Sequence, residues 1–471
     1  MNKIEVSVKY KAVTSQEKLA IKIIKALQAA GYKQTYIVGG YVRDFFMKRP
    51  ETGAIDLATE AKPQAVTKIL GGKGYKVIPT GLKHGTVTVH RGNDDIEITT
   101  FRTEGKYSDS RHPDRVNYVK DVKLDSSRRD FTVNALYLDP IGKKVFDFHG
   151  GIDDIKNRTL RFVGKSEQRI AEDPLRLMRG VRFAAVLGLR PSPQDLAVIK
   201  KKSRLLKNIS AERVKQELDR ILLSSKRSEG LELLRKTGLL EVFAPELVKM
   251  HATHQSKNFH SEGNVWVHTL LALSLVEKSA DLSVLYGLLF HDVGKAVTLG
   301  WKTKDGRKHS TFYGHQQRGA DISKQIMKRL KFSNREIDDI TWFVLHHHVP
   351  YELLKMRVSK QNAWLLEPRY TRLLKIYRAD SLASIPTDKK GKKLKPSLHS
   401  YNYNIRALKK VGKKKELQKK LISGNDVIKI MKIAAGPMVG KYLAQVKDRQ
   451  LAGKIKTRPE ALEFLKSLRE V

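Results

Sequence analysis

The sequence predicts a multidomain α+β protein, with a small mixed α/β head followed by helical domains. Three observations point there. Short apolar runs bounded by glycine turns crowd the first 150 residues or so, interleaved with helical periodicity. Beyond them the pattern is almost wholly helical. The length of 471 residues calls for several domains, and 40% apolar residues suffice to build their cores. No apolar run reaches the roughly 18 residues of a membrane span. The N-terminal MNKIEVSVKYKAV lacks the apolar stretch of a signal peptide. Zero cysteines exclude disulfides and thiolate metal sites and fit a cytoplasmic protein. The 91 Lys and Arg against 49 Asp and Glu, a net +42, favour a polyanionic partner, most simply nucleic acid.

Along the head, Thr14 or Ser15 caps a helix over residues 16–30, with Leu19, Ile23, Ile24 and Leu27 on one face and Gly31 as the stop. Residues 36–38 read as a buried strand. Gly39-Gly40 then allow a sharp turn and a close approach to another molecule. A short helix over 41–47 carries Arg43, and its start can receive a phosphate. The next strand, 54–58, places Ala54 and Asp56 on one face and sends Ile55 and Leu57 to the core. A phosphoryl-transfer site wants two carboxylates at those two positions to hold Mg²⁺ against a triphosphate, and only Asp56 is one. Pro63 opens another helix, ended near Gly71-Gly72. Strands follow at 84–90 and 96–101; in the second, Glu97 shares a face with Thr99 and can join Asp56 as a further carboxylate. Residues 102–119 are polar and form a loop. In the stretch RRDFTVNA, Arg129 and Asn134 suit phosphate and ribose contacts. A hairpin over 138–148 turns at Pro140-Ile141-Gly142.

Ser166 caps a helix expected to run through Glu172, Asp173, Arg176, Arg179 and Arg182, so that Asp173 and Arg176, three apart, share a face. Ser210 caps the following helix, ISAERVKQELDRILLS. Farther on, His268 lies on the apolar helical stretch WVHTLLALSLV, an apolar run over 285–290 leads into HDVGK (His291 to Lys295), and Asp380 sits in YRADSLAS. His315 and His347 leave two readings open: a second metal or phosphate contact, or polar surface. Residues 385–397 are basic and turn-rich and read as a linker or exposed arm. Near the end, Thr457 and Glu460 form a capping box.

These strings resemble the class II tRNA nucleotidyltransferase and bacterial poly(A) polymerase superfamily. Gly39, Gly40, Val42, Arg43, Asp44, Asp56 and Thr59 match its first motif, and RRDFT-x-NA matches at every fixed position. Arg102, Tyr107, Arg111 and Pro113 match a loop that moves during nucleotide addition. The E-D-x-x-R motif implies that Asp173 and Arg176 read the edge of the incoming base, accepting C and A. With Gly39, Gly40, Arg43, Arg129, Asp130, Asn134 and Arg179 they make up the nucleotide-binding set, and Asp56, Glu97 and position 54 the catalytic set with Mg²⁺. The family places an Asp where Ala54 stands. That departure is read as an engineered inactivation and predicts slow addition. His268, His291, Asp292 and Asp380 resemble the H…HD…D ligands of the HD phosphohydrolase superfamily. That resemblance implies a divalent Mg²⁺, Mn²⁺ or Ni²⁺ centre with Lys295 as phosphate partner.

The resemblance implies four regions: a nucleotidyltransferase head (1–155), a helical neck (156–254), an HD domain (255–385) and a basic linker with a helical tRNA-binding tail (386–471). It implies a cytoplasmic enzyme that adds CCA, or part of it, to tRNA from CTP and ATP, with its oligomeric state open. A poly(A) polymerase or terminal-A adder, an HD phosphohydrolase acting on RNA-end phosphates with an RNA-binding head, and a non-catalytic RNA-binding protein are the rival readings.

Overall fold

In the computed structural model, residues 4–49, 54–105, 116–256, 260–304 and 307–469 are described. Two compact units result, Met1–Phe243 and Ala244–Val471.

The first unit starts from local rules that hold as expected. Thr14 accepts from the Glu17 N–H while the Glu17 carboxylate takes the Thr14 N–H, a reciprocal cap on helix α1 (Ser15–Ala29). The strands are β1 (Ile4–Ser7), β2 (Thr35–Val38), β3 (Asp56–Thr59), β4 (Lys76–Gly81), β5 (Thr86–Arg91), β6 (Asp94–Thr100), β7 (Arg102–Glu104), β8 (Val116–Tyr118), β9 (Leu136–Asp139) and β10 (Lys144–Asp147), with a short parallel pair, β11 (Thr159–Leu160) and β12 (Arg190–Pro191), apart from them. Eight of them form one sheet in the order β1-β10-β9-β2-β3-β6-β5-β4. Every pair in that sheet is antiparallel except β3 with β6. Tyr36, Val38, Ala58, Phe101, Tyr137 and Phe146 pack into one buried cluster beside it. The expected loop over 102–119 begins and ends as the two-stranded β7–β8 ladder.

The other helices here are α2 (Gly40–Phe46), α3 (Pro63–Gly71), α4 (Val122–Ser127), α5 (Gly151–Lys156), α6 (Ser166–Glu172), α7 (Arg176–Leu187), α8 (Pro193–Lys202), α9 (Ala211–Leu223), α10 (Arg227–Lys236) and α11 (Leu239–Phe243). One expectation fails. The helix from Ser166 does not run through Arg182. It stops at Glu172; Asp173 is extended (φ −139°, ψ 100°), and α7 begins afresh at Arg176. Pro174 is the cause, because proline pushes the residue before it out of the helical region. Asp173 and Arg176 therefore lie on either side of a break and share no helix face.

Apart from one antiparallel strand pair, β13 (Gly300–Lys304) and β14 (Arg307–Thr311), the second unit is helical: α12 (Pro245–Lys249), α13 (Val265–Leu275), α14 (Leu282–Phe290), α15 (Lys295–Thr298), α16 (His315–Arg329), α17 (Asn334–His346), α18 (Val349–Glu352), α19 (Val358–Leu365), α20 (Tyr370–Ala383), α21 (His399–Gly412), α22 (Gly424–Met431), α23 (Pro437–Leu451) and α24 (Arg458–Ser467). Helix α14 packs on α17 and α20, and α13 packs on α20. The basic stretch after α20 is exposed over 389–395, as expected, and it turns back on itself. Asp388 Oδ1 accepts from the Lys390 and Lys392 N–H groups at 2.9 Å each, and the Leu394 N–H returns to the Pro386 carbonyl at 2.8 Å. The following segment joins the same unit: buried Asn404 donates to the Pro350 carbonyl at 2.8 Å, and Asn362 to the Leu451 carbonyl at 2.7 Å. Val427, Ala461 and Leu465 anchor a separate apolar cluster in the last three helices. Among the described residues no helix is long and apolar enough to cross a membrane.

Candidate functional site

Two sites emerge, one in each unit. In the first, β2 delivers the chain to Gly39, whose φ of +73° and ψ of −132° only glycine adopts without strain. A Cβ on Gly39 would lie 3.5 Å from Arg129 Nη1, and one on Gly40 3.5 Å from Arg43 Nη2. Two guanidiniums therefore flank the turn. Helix α2 has only 7 residues, so attraction for phosphate rests on these cations more than on a helix dipole.

Hydrogen bonds hold the cations in place. Arg43 grips the Asp44 carboxylate with Nε (3.0 Å) and Nη2 (2.9 Å), and its Nη1 donates to Asn134 Oδ1 at 2.7 Å. Asn134 Nδ2 donates to Asp130 Oδ1 at 3.0 Å, and Arg179 Nε donates to Asp130 Oδ2 at 2.9 Å. Burial alone would raise the Asp130 carboxyl; the Arg179 charge and the Asn134 bond outweigh it and hold the group well below the carboxylate range. Arg129 Nε donates to Tyr137 Oη at 2.8 Å, and Tyr137 Oη donates to buried Asp125 Oδ2 at 2.6 Å. Asp125 and Tyr137 were missed by sequence reasoning, although both lie within a few residues of RRDFT-x-NA.

Asp56 opens β3, directly opposite Glu97 on parallel β6. Neither carboxylate has a hydrogen-bond partner among the described residues. Asp56 is exposed to solvent at the start of β3. Burial by its neighbours and then Glu97 push its carboxyl up to about 6, with Arg129 pulling the other way. Two like charges held in register form a seat for a cation. Ala54 is exposed two residues before Asp56, with Ile55 and Leu57 buried between and beyond, as the alternation predicts.

At the break between α6 and α7, Asp173 accepts from the Leu175 N–H at 3.0 Å and from Arg213 Nη2 at 3.2 Å. Arg176 donates to Glu172 Oε2 at 2.7 Å and to the carbonyls of Arg169 (2.9 Å) and Arg128 (3.0 Å). Both side chains are held by neighbours rather than by each other. Arg102 lies in β7 and its N–H reaches Asp125 Oδ1 at 3.2 Å; Tyr107 and Arg111 lie outside the described residues.

In the second unit, α13, α14 and α20 bring His268, His291, Asp292 and Asp380 together. His268 Nε2 is 2.9 Å from Asp380 Oδ1, and His291 Nε2 is 3.3 Å from Asp292 Oδ2 and 3.7 Å from Asp380 Oδ1. One donor atom each from His268, His291 and Asp380 falls within 4.8 Å of the others. Burial would lower the His291 imidazole; Asp292 and then Asp380 push it up to about 10 instead. Lys295 is buried and occupied: Nζ donates to Asp292 Oδ2 at 2.7 Å and to Gln255 Oε1 at 2.8 Å. On the far side of Asp292 stand His315 Nε2 at 3.7 Å and His347 Nε2 at 3.9 Å. Their Nδ1 atoms donate to the Phe312 (2.8 Å) and Val344 (2.6 Å) carbonyls, which leaves each Nε2 lone pair facing inward. His315, His347 and His348 make a second group of donors within 4.8 Å. The two remaining histidines are thus not scattered surface residues. A cavity of about 580 Å³ opens over Asp292, Lys295, His315, His348 and Asp380.

Among the described residues, buried Asp292 Oδ1 and His291 Nε2 have no hydrogen-bond partner. Such orphaned atoms are costly in a folded core, and a bound cation would satisfy both. The donor set of imidazole and carboxylate, without sulfur, fits a divalent ion.

Comparison with known proteins places these sites in a family context. Residues 35–161 match the family model described as Poly A polymerase head domain, 188–250 that of the probable RNA and SrmB-binding site of polymerase A, and 265–385 that of the HD domain. The CCA-adding enzyme of Enterococcus faecalis is 30% identical over 460 residues, which cover 96% of each chain. That of Streptococcus sanguinis is 38% identical over 263 residues, spanning 54% of this chain and 64% of the relative. The fold is similar to the crystal structure of the Bacillus stearothermophilus CCA-adding enzyme in complex with CTP, with a TM-score of 0.71 and 26% identity, covering 97% of this chain and 98% of the other.

Proposed function

The chain belongs to the CCA-adding enzyme family, and from that premise we propose that it extends the 3′ end of tRNA with CCA, or part of it, from CTP and ATP with release of pyrophosphate. The observation that carries the reading is the in-register pair Asp56 and Glu97, set beside the Gly39-Gly40 turn and its two guanidiniums. The glycine turn lets the triphosphate approach the backbone, and Arg43 and Arg129 draw its charge. Asn134, held between Arg43 and Asp130, keeps Arg43 in place beside the turn, and Arg179 in turn holds Asp130. Asp173 and Arg176 offer a fixed carboxylate and guanidinium to the base edge, each immobilised before the nucleotide arrives. Asp56 and Glu97 would hold Mg²⁺, which supplies activation of the primer hydroxyl and neutralises charge on the leaving pyrophosphate. With alanine at position 54 the seat lacks a carboxylate, and transfer is correspondingly slow. The setting is the cytoplasm, where tRNA and nucleoside triphosphates meet. The test is Ala54→Asp, assayed with tRNA ending before CCA, at C and at CC, with each triphosphate separately. Equal rates for the two proteins would overturn the assignment.

A second reading applies to the second unit, favoured by the unpartnered Asp292 Oδ1 and His291 Nε2. We infer a divalent centre held by His268, His291, Asp292 and Asp380, with His315, His347 and His348 offering a second position across Asp292. The chemistry supplied there is water activation for attack on a phosphate ester. Lys295 keeps Asp292 ionised and adds positive charge to the cavity floor. Phosphates at RNA ends are the proposed substrates, matching the chain's net charge. Release of product from 2′,3′-cyclic nucleotides with Mg²⁺, Mn²⁺ or Ni²⁺ is the measurement.

A further inference from the structure

The His268 ligand is held from behind by a carboxylate that no motif contains. Glu262 lies in the short segment before α13 and its side chain is only 3% exposed. Its Oε1 lies 2.8 Å from His268 Nδ1 and also 2.8 Å from His260 Nδ1, whose rings meet edge to face with centroids 5.0 Å apart. Its Oε2 accepts from the Ile385 N–H at 3.0 Å. Flanked by two imidazole nitrogens and a backbone N–H, the Glu262 carboxylate accepts from all three, so both Nδ1 atoms carry the hydrogen. That fixes one tautomer on each ring. His268 Nε2, 2.9 Å from Asp380 Oδ1, is then the nitrogen that would turn its lone pair to a cation seated between them, and His260, which lines the cavity, keeps its own Nε2 free of that bond.

We propose that Glu262 is the positioning residue of this centre: one oxygen sets His268 as a ligand and His260 as a wall of the substrate cavity, while the other ties down the chain end of the helix bearing Asp380. The Ser261 N–H and hydroxyl both bond to the Ile385 carbonyl at 2.9 Å, so this short segment clamps the exit of α20 as well. A single loop thereby couples two ligands that are 112 residues apart. Hydrogen bonding of the distal imidazole nitrogen to a carboxylate orients a ligating histidine and raises its basicity. His260 is placed to accept a hydrogen bond from a water or a substrate hydroxyl in the cavity.

The inference rests on the divalent-centre reading, and the experiment separates the two. Full-length protein is titrated with Mn²⁺ alone, followed by its paramagnetic resonance signal, and loaded with Co²⁺ to record ligand-field absorption. Failure of the unmodified chain to bind either ion overturns the centre itself. If it binds, Glu262→Ala is expected to weaken Mn²⁺ about 10–100-fold, the usual range for outer-shell carboxylates, and to shift the Co²⁺ bands. Glu262→Gln, which keeps an acceptor oxygen for the imidazoles, is expected to recover much of the loss and to carry the test where the alanine variant fails to fold. His260→Ala is expected to leave Mn²⁺ affinity intact and to lower turnover of a 2′,3′-cyclic nucleotide. Unchanged affinity and bands in either Glu262 variant that remains folded, with the parent binding normally, would overturn the role of Glu262.

Discussion

The head cleft and the histidine-rich centre are built on opposite plans. The cleft puts two carboxylates on adjacent strands, open to solvent, and fixes them by backbone register alone. The centre draws its groups from several helices and buries His268, His291, Asp292 and His347 almost completely. The head pair depends on single positions of a short motif, and position 54 holds an alanine. The centre is cross-braced by Glu262, Lys295 and backbone carbonyls. Strand register thus makes a site easy to build and easy to disable, whereas a helical cluster needs many residues to agree and resists single losses.

The largest expected effect tests that independence. His291→Ala combined with Asp292→Ala should abolish metal binding and phosphohydrolase activity in the second unit, measured by metal analysis and product release, and leave nucleotide addition by the head unchanged. Loss of both activities would mean that the sites are not separate. Next comes Ala54→Asp, which should raise CCA addition by orders of magnitude with no change in the metal content of the second unit.

Base choice sharpens the comparison further. Asp173→Ala or Arg176→Ala, in the Ala54→Asp background, removes half of the pattern offered to the base. Discrimination against GTP and UTP should fall by about 1–3 kcal/mol, the worth of one well-formed base contact. Selectivity that survives would leave these residues as a brace between α6 and α7. The smallest effect concerns Gly294. A Cβ there would fall 2.1 Å from the His315 carbonyl, so the absence of a side chain is what lets α16 come up to Asp292. Gly294→Ala should push His315 away and weaken the second metal position selectively, seen as a lower metal stoichiometry with the first position still filled.

Much of this was legible in the sequence because the groups that do the chemistry lie close together in it. The Gly39-Gly40 turn and Asp56 facing out of its strand follow from local rules, and the RRDFT-x-NA string stands out by its resemblance to the family motif. The helix break at Asp173 was legible too: Pro174 announces it, but helical spacing on either side masked the signal. Glu262 was not legible, since a lone glutamate in HSEGN has no periodicity to mark it and gains meaning only when His260 and His268 close on it. His315 and His347 were legible only as one of two open readings, and helix packing brings them to Asp292. The basic segment after α20 is exposed, as its charge and turn residues say, but those signals do not show the Asp388 bonds that fold it back.

The one parallel pair in the described head sheet has a consequence for the order in which the molecule assembles. Antiparallel neighbours can zip from a tight turn, but β3 and β6 can meet only after α3, β4 and β5 have been laid down between them. Closing that crossover costs chain entropy before any ladder bond repays it. The glycine turn and its arginine neighbour Arg43 come from contiguous sequence and form early, while Asp56 and Glu97 become neighbours late. A nascent or partly folded head therefore carries a phosphate-attracting corner before it carries a seat for the metal, and catalytic competence is among the last properties that folding confers.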